Sequence, residues 1–236
     1  MRRALALAFV AFAAVLAAGA GPAEATNECR GLMVCVPVAG PWVMLPKDRR
    51  VPRASVEYQL SCPRRYVVGG LDAELSDRAI DVSFLGTLGS PVNPGITTSR
   101  AAVVLGRYVG LSSSTRPSFR PHIGCIPGAG GGRRIPTSIA RVFPPRRPTV
   151  RRVRTIRLKP GSVRVVHGCA TGERLVGASH AVGFYTSAPP GRRLAASVSV
   201  TRLVRDSRII VAGRAGGLVR GIRGIVQVSA LCAGGE

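Results

Sequence analysis

The sequence contains few aromatic and few acidic residues. Aromatic side chains make up 5% of the 236 residues, with a single tryptophan, so a platform that stacks nucleic-acid bases is not expected. Acidic residues number 11 against 34 basic ones, which gives a formal net charge of +23. Lys47 and Lys159 are the only lysines. The scarcity of Glu and Lys, beside 29 glycines and 18 prolines, argues against a helical bundle and favours short strands joined by turns.

The sequence has one long apolar run, and this run predicts an export signal. Two arginines precede the run over residues 4–18, and an Ala-Glu-Ala site after it predicts cleavage before Thr26. A membrane span needs about 20 apolar residues, so the run is short for an anchor. We expect residues 1–25 to be a signal peptide and the mature chain to be secreted, either extracellular or associated with the cell envelope. An uncleaved anchor is the alternative.

The six cysteines all follow the predicted cleavage site, in a compartment that permits disulfides. They are Cys29, Cys35, Cys62, Cys125, Cys169 and Cys232. Six cysteines allow fifteen pairings, and spacing alone does not normally choose among them. Here an internal symmetry does choose.

The chain matches itself, without a gap, at an offset of 107 residues. This offset places Cys62 on Cys169 and Cys125 on Cys232. It also places the string Gly-Arg-x-x-Gly-Leu at 106–111 on the same string at 213–218. The match indicates a tandem duplication, because glycines mark special backbone positions. The symmetry selects the pairs Cys62–Cys125 and Cys169–Cys232 and leaves Cys29–Cys35 as a local loop.

Each copy has the pattern of an all-β domain, so we expect two tandem β-sandwich or small-barrel domains, each with one long-range disulfide. The first domain spans 26–129, a linker spans 130–142 and the second domain spans 143–236. Short alternating or apolar runs predict strands at 56–60, 66–68, 101–105, 163–166, 174–176, 196–200, 208–212 and 225–229. The segment Asp72–Ile80 is the only helical candidate of note.

The repeated unit resembles a module of secreted bacterial proteins of unassigned function. The shared features are a Cys followed by a Val-Val-Gly-Gly turn, at 62–70 and less completely at 169–177, and a closing strand that ends V-x-A-x-C at Cys232. The common form carries Pro and Gly just after the first Cys. Copy one keeps only Pro63, and copy two keeps only Gly172. The resemblance implies an exported β-fold and carries no catalytic residues.

Three features of the chain could carry chemistry, and each has a simpler interpretation. Ser179 lies in Gly-Ala-Ser-His-Ala, which is close to a hydrolase elbow, but two prolines soon follow and no histidine lies beyond His180. A turn serine is the better interpretation. The acids of the segment 72–81 could bind calcium, dock arginines or form a solvated turn, and the last is favoured. The three histidines lack carboxylates at ligand spacing, so we expect no metal or other cofactor.

The strongest functional feature is a basic stretch that contains no acid. We expect it to bind polyanions through Arg146, Arg147, Arg151, Arg152, Arg154, Arg157 and Lys159. Only three acids follow residue 82, so the second half carries most of the excess charge. Nucleic acid is a poorer candidate, because export removes the protein from it. An arginine-biased composition that decorates a solvated edge is the competing interpretation.

The sequence therefore predicts an exported, non-enzymatic β-repeat protein. Its arginine-rich second half is expected to bind anionic polymers of the envelope or the extracellular space. One alternative is a secreted protein-interaction module. The other is a secreted hydrolase that uses Ser179 or the Asp72–Asp81 carboxylates.

Overall fold

The computed structural model describes residues 26–46, 55–85, 100–110, 116–128 and 149–234. The predicted signal peptide and linker, over 1–25 and 130–142, lie outside these ranges. Within them the chain forms one five-residue helix, α1, at Arg192–Ala196 and one 3-10 turn at Gly217–Val219. The strands are β1 Val36–Ala39, β2 Trp42–Met44, β3 Ser55–Ser61, β4 Tyr66–Leu75, β5 Ile80–Leu85, β6 Ala101–Tyr108, β7 Ser118–Pro127, β8 Thr149–Arg157, β9 Gly161–Gly168, β10 Arg174–Tyr185, β11 Val198–Arg205, β12 Arg208–Ala215 and β13 Arg223–Ala233.

The strands form three antiparallel sheets, which confirms the all-β prediction. The large sheet has seven strands. Six follow the order β1-β7-β2-β10-β13-β8, and the seventh, β4, also pairs with β7. The first small sheet has the order β3-β6-β5 and the second has the order β9-β12-β11. We call residues 26–128 the first half and residues 149–234 the second half. The large sheet takes strands from both.

Alternation of side chains along the strands places the large sheet between two cores. Val43 of β2 and Ala181 of β10 lie in a core with the first small sheet, whereas Met44 and Phe184 lie in a core with the second. Neighbouring residues in a strand point to opposite faces, so the large sheet buries apolar side chains on both sides. The same alternation holds in β9, where Val163 and Val165 are buried and the residues between them are exposed.

Strand pairings in the two halves agree at the offset of 107 residues. The β4–β7 ladder pairs Val68 with Cys125 and has a bulge before Gly70, and the β10–β13 ladder pairs Leu175 with Cys232 and has a bulge before Gly177. The β3–β6 and β9–β12 ladders also share their register. The predicted domain boundaries between the halves stay a prediction.

The six cysteines form three disulfides in the predicted pairing, Cys29–Cys35, Cys62–Cys125 and Cys169–Cys232. The two long-range disulfides each join cysteines 63 positions apart in the sequence, and both have a Cα–Cα distance of 5.7 Å. In the chain-entropy model, loops of this length stabilise a fold by about 4 kcal/mol each. Each disulfide fastens an edge strand of a small sheet, β3 or β9, to the large sheet.

The predicted helix at Asp72–Ile80 is wrong. Residues 72–75 continue β4 and pair with β7, and Ile80 begins β5. A turn joins them, in which the Asp77 carboxylate accepts the Ala79 N–H at 2.8 Å. The strand predicted at 196–200 begins later, at Val198, because α1 follows the two prolines and ends at Ala196. Among the described residues, no helix has the length and hydropathy that a membrane crossing by a helix requires.

The turns after Cys62 and Cys169 predict the effect of a glycine substitution. Arg65 has a φ of 69°, and Gly172, 107 residues later, has a φ of 83°. Left-handed backbone costs a non-glycine residue about 1–2 kcal/mol, and glycine loses about 0.5–1 kcal/mol more entropy on folding. We therefore expect Arg65→Gly to raise the free energy of unfolding by about 0.5–1 kcal/mol in urea denaturation. The neighbouring change Arg64→Gly should lower it, and a gain from both would contradict this explanation.

Candidate functional site

The predicted polyanion-binding stretch is partly occupied by contacts within the protein. Arg151 Nη1 lies 2.5 Å from Glu57 Oε2, and Arg152 makes two hydrogen bonds to Glu173, at 2.5 and 2.8 Å. Arg154 donates to the Val166 carbonyl at 3.1 Å. The two remaining described residues of the stretch, Arg157 and Lys159, are exposed, and Arg146 and Arg147 lie outside the described residues. The stretch therefore supplies few free cations among its described members.

The Arg151–Glu57 pair belongs to a contact between the two halves. Glu57 is on β3 of the first half, and Arg151 is on β8 of the second. Ser179 of β10 donates its hydroxyl to the same carboxylate oxygen at 3.2 Å, and Arg151 also donates to Ser229 at 2.9 Å. The large sheet thus presents a polar face that holds a carboxylate of the first half.

Gln227 completes this contact by bonding to the backbone of β3. The Gln59 N–H donates to Gln227 Oε1 at 2.7 Å, and Gln227 Nε2 donates to the Gln59 carbonyl at 3.0 Å. β3 is the edge strand of its sheet, so its outer backbone groups need partners from elsewhere. The amide of one buried glutamine takes the place that a neighbouring strand would fill.

The corresponding face of the second small sheet is exposed to solvent and rich in arginine. Val163, Val165, Ile209 and Val211 point into the second core, so residues of the other parity point outward. These outward residues include four exposed arginines and no acid. We call this surface the arginine face; its charged members are Arg164, Arg205, Arg208 and Arg214.

An apolar row crosses the middle of the arginine face. Leu203, Ile210 and Val166 lie side by side on β11, β12 and β9, as the strand registers show. Leu203 is 48% exposed and Val166 is 41% exposed. Arg205 and Arg208 form the next row toward the β11–β12 turn, and the other two arginines lie on the opposite side of the apolar row. Successive outward rows are about 7 Å apart.

Like charges are concentrated on the arginine face without balancing acids. Arg205 is paired directly with Arg208 in the ladder, an arrangement that destabilises a sheet when the charges are alike. Asp206, in the turn between them, is the nearest acidic residue along the chain. The other described acid of the second half, Glu173, is bound to Arg152. The face is therefore strongly cationic.

Sequence reasoning missed these arginines because it followed the density of charge along the chain. The four residues are scattered between 164 and 214, and only strand pairing brings them to one surface. A signal existed at Arg164, which alternates with Val163 and Val165 in a predicted strand. The order of the three strands could not be deduced from that alternation.

The acids of segment 72–81 do not form one cluster. Asp72 accepts the Asn27 N–H at 2.6 Å, and Glu74 lies 2.9 Å from His122 and 3.7 Å from Arg120. Asp77 is in the turn, and Asp81 is paired with Arg107 at 2.5 Å. Two of these acids thus contact arginines, as one of the sequence interpretations allowed.

The N-terminal segment covers the face of β4 and β7 that carries Asp72 and Glu74. Glu28 is 5% exposed and its Oε1 lies 3.6 Å from His122 Nδ1. A Cβ atom at Gly70 or Gly124 would collide with the Glu28 carbonyl, so glycine is needed at both positions. This face is the first-half equivalent, at the offset of 107, of the face that holds Glu57.

The three histidines occupy separate environments. His122 is buried beside Glu28 and Glu74, and His167 Nε2 lies 2.9 Å from the Arg152 carbonyl. Burial, and after it the charge of Arg202, lowers the pKa of His180. Among the described residues, the one group with metal-ligand spacing is Cys169, Glu173 and Cys232, and its sulfurs form a disulfide. That group offers no thiolate to an ion.

Ser179 lies within β10 and not in a turn, so the interpretation as a turn serine is wrong. Its hydroxyl donates to Glu57, a carboxylate already paired with Arg151. His180 is the next residue in the strand and therefore points to the opposite face. The strand continues to Tyr185, whereas a hydrolase elbow requires a sharp turn into a helix directly after the serine.

Removing the Gln227 amide tests the contact between the halves. In Gln227→Leu the Gln59 N–H and carbonyl lose their partners, and an unsatisfied buried group costs about 1–3 kcal/mol. We expect the free energy of unfolding to fall by about 2–3 kcal/mol in urea denaturation. Thr155→Val is the matched control, because it removes only the 3.3 Å bond from Gln227 Nε2 to Thr155. Equal losses in the two variants would contradict the assigned role.

The Glu173 pair predicts a dependence of stability on pH. Hydrogen bonds from Arg152 and then from the Ala170 N–H lower the pKa of Glu173 from 4.5 to about 2. A carboxyl group whose pKa is lower in the folded state stabilises the fold at pH values above its unfolded pKa. This stabilisation disappears as the pH falls through the folded pKa. The difference in urea midpoint between the unaltered protein and Glu173→Gln should thus be largest above pH 5 and vanish near pH 2. A difference that stays constant over this range would refute the pairing, and Arg152→Gln should behave like Glu173→Gln.

Comparison with known proteins does not assign the chain to a family. No protein-family model, no curated protein and no solved structure matches the chain. The chain has a disulfide-bonded all-β fold, and one arginine-rich face of a sheet is exposed.

Proposed function

We propose that this chain is an exported, non-enzymatic protein that binds anionic polymers of the cell envelope or the extracellular space. The observation that carries the proposal is the arginine face, an exposed sheet surface with four arginines and no acid at its outward positions. Arginine presents a planar fork of donors that suits carboxylate, sulfate and phosphate groups. Export is supported by the signal-like N-terminus and by the three disulfides, which persist in oxidising compartments.

The proposal includes a tandem duplication of one β-module. Its support is the agreement of the β4–β7 and β10–β13 ladders, bulges included, at the same offset as the sequence match. The turns after Cys62 and Cys169 agree too, with matching hydrogen bonds from Tyr66 to Pro63 and from Glu173 to Ala170. The Val-Val-Gly-Gly segment of the resemblance to secreted bacterial modules follows this turn directly. It is part of β4 and is therefore not itself the turn that the sequence had suggested.

Under this duplication, one surface has two different uses. In the first half it carries Glu57 and Gln59, which dock on the large sheet of the second half. In the second half the equivalent positions are Arg164 and Val166, and both are exposed. In the second half, the surface that corresponds to the docking surface of the first half thus faces solvent with its charge reversed. We therefore propose the arginine face as the binding site, with a contribution from Arg157 and Lys159, two exposed members of the basic stretch 146–159.

Retention on heparin resin tests polyanion binding by the mature protein. We expect strong retention at low salt that weakens steeply as salt rises, because each bound anion releases counterions. Arg164→Gln with Arg214→Gln should elute at clearly lower salt and show a shallower salt dependence. The matched control is Arg78→Gln with Arg107→Gln, which removes the same charge from the first half and should elute later than the test variant.

Two results would reject the proposed site. Equal elution of the two double variants would mean that only net charge matters. Retention that is absent, or that does not change with salt, would remove polyanion binding altogether. Saturable, salt-insensitive binding to a single protein would instead favour the protein-interaction alternative.

A further inference from the structure

We infer that the arginine face binds the surface of an anionic lipid bilayer. This inference rests on the proposed function and adds to its anionic polymers a second ligand, a membrane with anionic headgroups. The observation behind it is the apolar row of Leu203, Ile210 and Val166, which separates two groups of arginines on one exposed sheet.

A bilayer surface matches both parts of this arrangement. Arginines on either side of the row can pair with headgroup phosphates about 7 Å away in the plane of the sheet. The aliphatic side chains between them can enter the boundary of headgroups and acyl chains, as apolar residues of interfacial segments do. A soluble polyanion would use the arginines and leave the aliphatic row in water. Exposed aliphatic side chains aligned in one row among cations are therefore better explained by a lipid surface.

The first half shows that this surface need not be exposed or cationic. The equivalent row on the first small sheet is Gln59, Val103 and Leu85. There, Gln59 is bonded by Gln227 and Val103 is buried. The same sheet face carries the acids Glu57 and Asp81, which are paired with arginines. Exposure together with an all-cationic border is specific to the second half.

The apolar row lies next to the tip of a hairpin. Leu203 of β11 is 48% exposed, and the next residue, Val204, points to the opposite face of the sheet. β11 is the outer strand of its sheet and belongs to a hairpin that ends in the Arg205–Arg208 pair. The hairpin therefore presents the exposed Leu203 beside two arginines on the arginine face. A contact of this kind gains affinity from anionic lipid at about fivefold per arginine near the surface.

Co-sedimentation of the mature protein with vesicles tests the inference. The vesicles contain phosphatidylcholine alone or phosphatidylcholine with about one third phosphatidylglycerol. We expect binding only to the anionic vesicles, and Arg164→Gln with Arg214→Gln should weaken it more than tenfold. Leu203→Thr with Val166→Thr keeps every charge and the preference for strand. It should weaken vesicle binding about tenfold and leave the salt at which heparin releases the protein unchanged.

The controls separate this inference from the proposed function. Leu85→Thr changes the equivalent residue of the first half, and vesicle binding should not change. Thermal unfolding of each variant shows that it is folded, and a misfolded variant is replaced by the single change Leu203→Thr. Heparin retention without binding to anionic vesicles would overturn the lipid inference and leave polyanion binding standing. Unchanged vesicle binding by Leu203→Thr with Val166→Thr would overturn the lipid inference as well. If the unaltered protein binds neither heparin nor anionic vesicles, the proposed function is rejected.

Discussion

The architecture depends on β2, a strand of three residues that pairs with a strand of each half. Val43 pairs with β7 on one side and with β10 on the other, so the sheets of the two halves become one. The side chains divide in the same way, with Val43 in the first core and Met44 in the second. Among the described residues, β2 is the strand through which the β10-β13-β8 part of the large sheet is paired, by backbone hydrogen bonds, with the first half.

The shared sheet brings β3 against the second half, and this contact decides what each small sheet can do. Gln227 satisfies the backbone edge of β3, and Arg151 holds Glu57 beside it. Buried polar groups of this kind fix one arrangement, because any other docking would leave them without partners. The first small sheet is thereby committed to an internal role. In the second small sheet, the equivalent edge position accepts one hydrogen bond, from Arg154 to the Val166 carbonyl, and the side chains of Arg164 and Val166 stay exposed.

The sequence was sufficient to predict the features that depend on local residue patterns and on the internal repeat. The cysteine spacing predicted all three disulfides, and valine-rich alternation located most strands, including those around Val163 and Val226. The bridging role of β2 could not be predicted, because nothing in Trp-Val-Met specifies which two strands flank it. The segment Asp72–Ile80 was misjudged for a related reason. Its helical appearance is local, whereas its ladder to β7 is made by residues about 45 positions away.

The arginine face shows why charge counted along the chain is a poor guide to where exposed cations lie together on the surface. The densest basic stretch places Arg151 and Arg152 in internal ion pairs, where they hold the fold together. The scattered arginines, in contrast, meet on one exposed sheet, and Arg205 faces Arg208 at a cost in stability. The core behind that sheet and the Cys169–Cys232 disulfide can offset such a cost, since neither depends on the outward side chains. A surface that carries like charges at a cost in stability supports the proposal of an anionic partner, which would neutralise them.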